Sequence, residues 1–191
     1  MQLRDKTNFK KDVEIYGPIG ENTLKEHLTR KGKIFIDTSN EEGFRIFDVD
    51  VIQLNDEEID IADCLNCLRH GSSLSNVDAI GYEVKTDTVG IKSRNLVFEM
   101  FSNSNPGCLA RSAADYLYYV FIDENNNVVE EFLIKMKTLR YWLMEHFWEI
   151  NQVNYLKSKS MRRGQDNTGI LLVNVDKLVE DKICVKLNAL S

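Results

Sequence analysis

Two short segments of the chain place charged side chains among apolar neighbours. Residues 80–85 read Ile-Gly-Tyr-Glu-Val-Lys, and because alternate residues of a strand point to the same face, Glu83 and Lys85 share one face. Asp48 and Asp50 are likewise separated by one apolar residue in an earlier strand-like run. A carboxylate on such a strand is costly to desolvate unless a cation compensates it, and hard oxygen ligands suit Mg²⁺ or Mn²⁺. The two segments therefore predict a divalent-cation site held between two strands.

The order of these segments resembles the signature of the PD-(D/E)XK nuclease superfamily. That signature is a helix glutamate, a strand aspartate followed by apolar residues, and a Glu-x-Lys motif on the next strand. Glu21 within YGPIGENTLKEHL is similar to the helix glutamate, and Asp50 within DVIQL is similar to the strand aspartate. Glu83 and Lys85 within YEVKTD match the Glu-x-Lys motif. The resemblance implies a restriction-endonuclease-like core.

A later run, RNLVFEMFSNSNPGCLARSAADYLYYVF, resembles phage and prophage members of the same superfamily. Those members carry a similar Asn-(Leu/Ile)-x-x-Glu stretch, a glycine-containing loop and an Ala-Asp-Tyr junction from helix to strand. Four polar residues match that pattern: Asn95, Glu99, Ser112 and Asp115. They are candidates for the rim of the site, although helix and strand packing explains them equally well. Asn95 and Ser112, together with Asp48, are the auxiliary site residues of this hypothesis.

The superfamily resemblance implies a role for each residue of the signature. Asp50, Glu83 and the backbone carbonyl of Val84 would hold Mg²⁺ or Mn²⁺ beside a scissile phosphate, where the metal polarises the phosphate and lowers the pKa of a bound water. Lys85 would orient that water and offset the charge that grows in the transition state. Glu21 would bind the metal indirectly or position the water or Lys85. The implied substrate is nucleic acid, with DNA preferred.

The sequence departs from the family pattern in two places. The stretch between Asp50 and Glu83 is long because residues 55–78, acidic and then serine-rich, stand between two strand-like segments. We interpret these residues as an insertion or lid. The aspartate segment also lacks the proline that gives the family its name. Asp48 remains an alternative to Asp50, which we prefer because it directly precedes an apolar pair, as in the family pattern.

A second candidate metal site lies within residues 55–78. Cys64, Cys67 and His70 have the spacing Cys-x-x-Cys-x-x-His, and Cys108 or a carboxylate would be the fourth zinc ligand. The sequence contains no second Cys-x-x-Cys pair, so an amphipathic turn with buried thiols is the preferred interpretation. We therefore predict that this segment carries no structural metal.

The densest basic cluster of the chain lies in YLKSKSMRRGQDN. It contains Lys157, Lys159, Arg162 and Arg163. A basic loop of this kind suits contacts with the phosphate backbone of a nucleic acid, which position a protein without reading sequence. An ordinary solvated surface loop is the competing interpretation.

The elements that must position these residues follow from the hydrophobic pattern. We expect a first helix over residues 20–31, strands near 34–37, 46–54, 79–87 and 95–101, a short helix running into a strand over 108–123, a hairpin to 128–134, an amphipathic helix over 135–150, a strand over 169–175 and a final helical turn. This order predicts an α/β (α+β) fold with a mixed central β-sheet flanked by helices. A single domain over residues 1–191 is expected.

The composition is that of an ordinary globular protein. Of 191 residues, 43% are hydrophobic and 28% are charged, which excludes a disordered chain or a disulfide scaffold. We expect no membrane span, no secretory signal, reduced thiols and a cytoplasmic location. A net charge of −6 argues against indiscriminate coating of nucleic acid, but it is compatible with an acidic metal site beside a local basic groove.

Two functions of different classes follow. The first is a Mg²⁺-dependent phosphodiesterase that cleaves DNA. The resemblance implies a phage protein that acts in recombination, replication or restriction. It also implies a homodimer as one form, because junction and duplex cutters of the superfamily are often two-fold dimers. The second is a non-catalytic protein on a nuclease fold that binds or inhibits a host partner. On the spacing alone, Asp50, Glu83 and Lys85 would also be explained as solvated ion-pair partners of little energetic weight.

Overall fold

Ten strands form two β-sheets in the computed structural model, which describes residues 12–102, 105–163 and 166–187. The strands are β1 (Ile34–Asp37), β2 (Val51–Leu54), β3 (Ala79–Asp87), β4 (Asn95–Ser102), β5 (Asn105–Pro106), β6 (Tyr116–Ile122), β7 (Val128–Lys135), β8 (Leu156–Arg163), β9 (Asp166–Asn174) and β10 (Cys184–Leu187). The α-helices are α1 (Gly17–Arg30), α2 (Glu42–Arg45), α3 (Ile61–Arg69), α4 (Gly90–Ser93), α5 (Cys108–Arg111), α6 (Met136–Glu145) and α7 (Val175–Glu180). None of the helices in these ranges is long and apolar enough to cross a membrane.

The larger sheet has six strands in the order β1-β2-β3-β6-β7-β10. The first three strands form an antiparallel meander, β6 runs parallel to β3, and the remaining pairs are antiparallel. The sheet is therefore mixed and flanked by helices, which confirms the predicted α+β class. Its central strand β6 consists of aliphatic and aromatic residues, as expected of a strand covered on both faces.

A second sheet of four strands, in the order β5-β4-β9-β8, was not expected from the sequence. The predicted strands near residues 95–101 and 169–175 belong to it rather than to the central sheet. The two sheets share one hydrophobic core, in which Leu96 and Phe98 of β4 and Leu171 of β9 join Leu117 and Phe121 of β6. The second sheet therefore covers one face of the first.

Helix α1 covers the opposite face of the six-stranded sheet. Leu24 and Leu28 are buried in a cluster with residues of β2 and β6. Gly20 makes the close approach possible, because a Cβ at that position would lie 2.4 Å from Thr86 Oγ1. His27 of α1 also contacts the buried Glu131 of β7. The helix is thus fixed against the sheet at both of its ends, and Glu21 is held next to the strands.

The segment before β2 differs from the strand that the sequence predicts. Residues 42–45 form α2, and Asp48 adopts a left-handed backbone with φ of 48°, so the strand begins only at Val51. The expectation that Asp48 and Asp50 share one strand face is therefore wrong. The Asp48 carboxylate instead forms a two-bond ion pair with Arg111 of α5, at 2.6 and 2.8 Å.

Residues 55–78 do connect two adjacent strands, β2 and β3, and they do contain a short helix. Cys64 and Leu68 of α3, together with Leu74, are buried in a cluster with Phe44 and Ile52. These contacts make the segment part of the core on one face of the sheet, and its apolar side chains do not form a detached lid.

The basic segment is strand β8 and not the loop that the sequence predicts. It pairs antiparallel with β9 along its length, with Lys157 opposite Leu172 and Lys159 opposite Ile170. Pairing with the apolar strand β9 overrides the weak strand preference of lysine and serine. The strand is an edge of the second sheet, and Lys157 and Lys159 are exposed there.

Candidate functional site

The centre of the candidate site is the point where β3 extends past the start of β2. The two strands pair only as far as Val51 opposite Tyr82, whereas β3 continues to Asp87 beside β6. Asp50 lies at this point. Its backbone N–H donates to the Tyr82 carbonyl at 2.8 Å, and its carboxylate Oδ2 accepts a 2.7 Å hydrogen bond from the Val84 N–H. Asp50 is thereby fixed beside the backbone that joins Glu83 to Lys85.

Glu83 is a deeply buried carboxylate with incomplete hydrogen bonding. The residue is only 2% exposed, and Lys85 Nζ lies 2.8 Å from Oε1. Oε1 is thus paired with an ammonium, whereas within the described parts of the chain Oε2 of Glu83 has no hydrogen-bond partner. Buried carboxylate oxygens normally have such partners, so this group has capacity left for a cation.

The charges of the site are coupled. Burial raises the pKa of Asp50, and the neighbouring Glu83 charge raises it further. The hydrogen bond from the Val84 N–H and the charge of Lys85 lower it, and the resulting pKa is about 7. Burial alone would lower the pKa of Lys85, but the Glu83 carboxylate outweighs burial and the pKa is raised. Lys85 therefore stays charged, while Asp50 exchanges its proton near neutral pH. A bound cation would favour the ionised form of Asp50.

Glu21 lies near this site but on the other side of the strand. Val84 and Thr86 face α1, because Gly20 approaches both of them, so Glu83 and Lys85 point to the opposite face. Glu21 hydrogen-bonds Ser39, burial raises its pKa, and its charge acts on Asp50. The structure thus brings Glu21 close to Asp50 and gives it no described contact with Lys85.

The other auxiliary residues have structural partners. The Ser112 hydroxyl is buried and donates to the Asp48 carbonyl at 3.2 Å, so both residues hold α5 against the start of β2. Asn95 begins β4 and pairs with Asn174 in the second sheet, which separates it from the Asp50–Glu83 pair. Between Asp48 and Asp50, it is Asp50 that the structure places beside Val84.

Two residues of α5 lie beside the Glu83–Lys85 pair: Arg111, which the sequence did not indicate, and Cys108, which it indicated only as a possible zinc ligand. The Cys108 thiol is buried, which raises its pKa to about 11, and the charges of Lys85 and Glu83 act on it. Arg111 lies within the field of Glu83 as well as pairing with Asp48. Both follow the loop that ends at Gly107, and no local pattern in the sequence relates them to β3.

The residues of the candidate zinc site do not face one point. Cys64 and Cys67 are buried, and the Cys67 thiol donates to the Ser73 carbonyl at 3.0 Å. His70 is exposed just after the end of α3. In residues 12–102, 105–163 and 166–187, no three His, Cys, Asp or Glu side chains are grouped to hold a metal ion. The absence of a structural metal in this segment stays a prediction.

The basic cluster lies apart from β3, on the edge strand β8. Lys157 and Lys159 point to solvent there. Arg162 and Arg163 belong to β8 by their backbone, but their side chains lie outside the part of the chain that the structure describes.

Comparison with known proteins adds no relative: no family model matches the chain, and no curated protein is similar to it in sequence. The functional argument therefore depends on the geometry around Asp50, Glu83 and Lys85.

Proposed function

We propose that the protein is a metal-dependent phosphodiesterase that cleaves DNA through Mg²⁺ or Mn²⁺ held by Asp50 and Glu83. The observation that carries this proposal is the buried Glu83 carboxylate, which is paired with Lys85 through Oε1 and has no partner for Oε2 among the described residues. Mg²⁺ in phosphoryl-transfer sites is commonly bound by one or two carboxylates, several waters and substrate phosphate. The carboxylates of Asp50 and Glu83, with the Val84 carbonyl, would supply oxygen ligands of this kind.

The arrangement of the elements supports a restriction-endonuclease-like core as the finer description of the fold. The helix glutamate, the strand aspartate and the Glu-x-Lys motif of the superfamily signature correspond to α1, the residue before β2, and β3. These elements are packed neighbours, and the two strands are adjacent and antiparallel. The same proposal includes phage recombination, replication or restriction as the setting. It also includes a cytoplasmic location, which the four free cysteines support.

The side chains have distinct tasks in this proposal. A bound divalent ion would polarise the scissile phosphate and lower the pKa of a water. Asp50 must lose its proton before it can act as a ligand, and the Val84 N–H holds its carboxylate in place. Lys85 keeps its positive charge beside Glu83, where it orients the attacking water and stabilises negative charge on the phosphoryl oxygens. Glu21 adds negative charge next to Asp50.

Lys85→Arg provides the test of catalysis, because it keeps the positive charge beside Glu83 but changes the shape and hydrogen-bond directions of the cation. We expect this variant to bind Mn²⁺ as the wild type does and to cleave DNA at least about 100-fold more slowly, as when a transition-state donor is lost. The measurement is the initial rate on a panel of duplex, single-stranded and branched DNA and on RNA. Lys92→Arg, at an exposed position on α4, is the matched control and should cleave normally.

An unaltered rate for Lys85→Arg on every substrate would remove Lys85 from the mechanism. Absence of cleavage by the wild type with both Mg²⁺ and Mn²⁺ would count for the second function, a non-catalytic binding protein. One observation favours that alternative: four large apolar side chains are exposed on α6 and the turn that follows it. They are Tyr141 at 58%, Met144 at 70%, Phe147 at 58% and Trp148 at 78% exposure. Exposed apolar groups of this kind are typical of protein-binding surfaces.

A further inference from the structure

A cleft of about 570 Å³ lies on the face of the sheet that carries Glu83 and Lys85. Its walls are the end of α3 with the serine-rich turn after it, residues 113–115 before β6, and the start of α6. Cavities that bind small ligands or parts of larger ones are commonly of this size. No residue of this cleft belongs to the candidate metal site, so the cleft needs its own explanation.

The cleft is positively charged although the whole chain is negative. Lys135, Lys137 and Arg140 line it, and Asp115 is its one carboxylate. The Asp115 carboxylate is already used, because Oδ2 accepts a 2.9 Å hydrogen bond from the Gly81 N–H. Three cations against one engaged carboxylate leave a local excess of positive charge, in a chain with a net charge of −6. Such a concave positive surface attracts anions.

The cations and hydroxyls of the cleft suit phosphate. The Arg140 guanidinium is held in a fixed orientation, because it donates to the carbonyls of Leu109 at 2.8 Å and Ser112 at 2.5 Å. Lys135 and Lys137 are exposed at the mouth. Three serines, Ser72, Ser73 and Ser75, line the opposite wall. Lysine, arginine and serine side chains are among the groups that contact the phosphates and sugars of nucleic acids.

The cleft is adjacent to the candidate metal site through β3. The hydrogen bond from Gly81 to Asp115 ties the cleft to this strand, and Gly81 shares a face with Glu83 two residues further along. At a rise of about 3.3 Å per residue, the two positions are roughly 7 Å apart.

We propose that this cleft binds the phosphate backbone of a nucleic-acid substrate next to the position of cleavage. The inference rests on the proposed nuclease function for its ligand, but it is tested by binding and not by cleavage. It moves the principal backbone contact from the edge strand β8 to Lys135, Lys137 and Arg140.

The test uses Lys135→Gln/Lys137→Gln and measures fluorescence anisotropy of short labelled DNA, duplex and single-stranded, in EDTA over a range of salt concentrations. Arg140 is left intact because it also holds α5 in place. Loss of two phosphate contacts should weaken binding at least about tenfold at low salt and reduce the slope of log K against log salt by roughly 1.4–1.8. Lys31→Gln/Lys33→Gln removes the same charge from exposed positions outside the cleft and should change affinity less than about twofold.

Equal weakening by the two double variants, or an unchanged salt slope, would overturn the proposal. Competition by inorganic phosphate or a mononucleotide as effective as that by the unlabelled oligonucleotide would also overturn it, because the ligand would then be a small phosphate compound. If only the nuclease proposal is wrong, the cleft variant will still bind DNA more weakly than the wild type does, but the wild type will cleave no substrate.

Discussion

Replacing Lys85 with methionine should lower the free energy of unfolding by about 2–4 kcal/mol in EDTA, because it leaves the Glu83 carboxylate buried without its cation. This loss is smaller than for a fully buried ion pair, because the Lys85 side chain is 34% exposed and solvent screens part of its interaction with Glu83. Glu83→Gln should be milder, since the remaining ammonium can be hydrated. The double variant Glu83→Gln/Lys85→Met should be more stable than Lys85→Met alone.

Urea unfolding of the wild type, both single variants and the double variant forms a double-mutant cycle that measures this coupling. Lys85→Arg is the control for folding, because it keeps the charge. Strictly additive effects, with Lys85→Met costing less than about 0.5 kcal/mol, would show that Glu83 is solvated and would remove the basis for a cation requirement.

Asp50→Asn should stabilise the metal-free protein at neutral and alkaline pH. The pKa of Asp50 is raised from 3.8 to about 7 in the folded protein, chiefly by burial. Stability from the protonated group is therefore fully present below about pH 4, and it is lost progressively as the pH rises to about 7. The loss is about 4 kcal/mol for a shift of this size. Asparagine, which does not ionise, avoids it and can still accept from the Val84 N–H.

The measurement is urea unfolding in EDTA at about pH 5 and about pH 8. The stability advantage of Asp50→Asn over the wild type should grow between these two values, and added Mn²⁺ should reduce it by stabilising only the wild type. Asp123→Asn is the control, because hydrogen bonds from Asn127 lower the pKa of the exposed Asp123 and its effect on stability should not change between these two pH values. An advantage that does not change with pH would place the pKa of Asp50 near its ordinary value.

The strand alternation at Glu83 and Lys85 was readable from the sequence because it is local. Both residues lie on β3, and their common face is confirmed by the ion pair between them. The position of Asp48 was not readable in the same way. Asp48 has a left-handed backbone, and its carboxylate pairs with Arg111, which is 63 residues away in the chain. A pattern of alternating residues shows neither a single left-handed residue nor a partner so far away in the sequence.

Strand pairing in the second sheet likewise depends on residues that are far apart in the sequence. β4 and β9 were predicted as strands from their apolar residues, but alternation does not say which strands pair. Strand β8 was read as a loop because Lys157, Lys159 and the serines between and after them favour exposure. Strand β10 was not predicted at all. In both cases the strand is imposed by an apolar neighbour, β9 for β8 and β7 for β10.

The positively charged cleft is a third feature that the sequence pattern did not show. Lys135, Lys137 and Arg140 fall within the predicted amphipathic helix and Asp115 within the Ala-Asp-Tyr junction, and nothing in the sequence relates the two segments. Their convergence depends on the packing of α3 and α6 on one face of the sheet. The residues of the site were therefore partly predictable, whereas the surfaces around it were not.

Equilibrium binding of Mn²⁺, measured by the loss of the free-ion signal in electron paramagnetic resonance, tests most directly whether Asp50 and Glu83 hold a divalent cation. We expect a single Mn²⁺ per chain near pH 8 for the wild type and for Lys85→Arg, with affinity falling about tenfold per pH unit below about pH 7 as Asp50 takes up its proton. Asp50→Asn and Glu83→Gln should show no such site. Unchanged Mn²⁺ binding by those two variants, or no binding by the wild type, would contradict a site formed by Asp50 and Glu83.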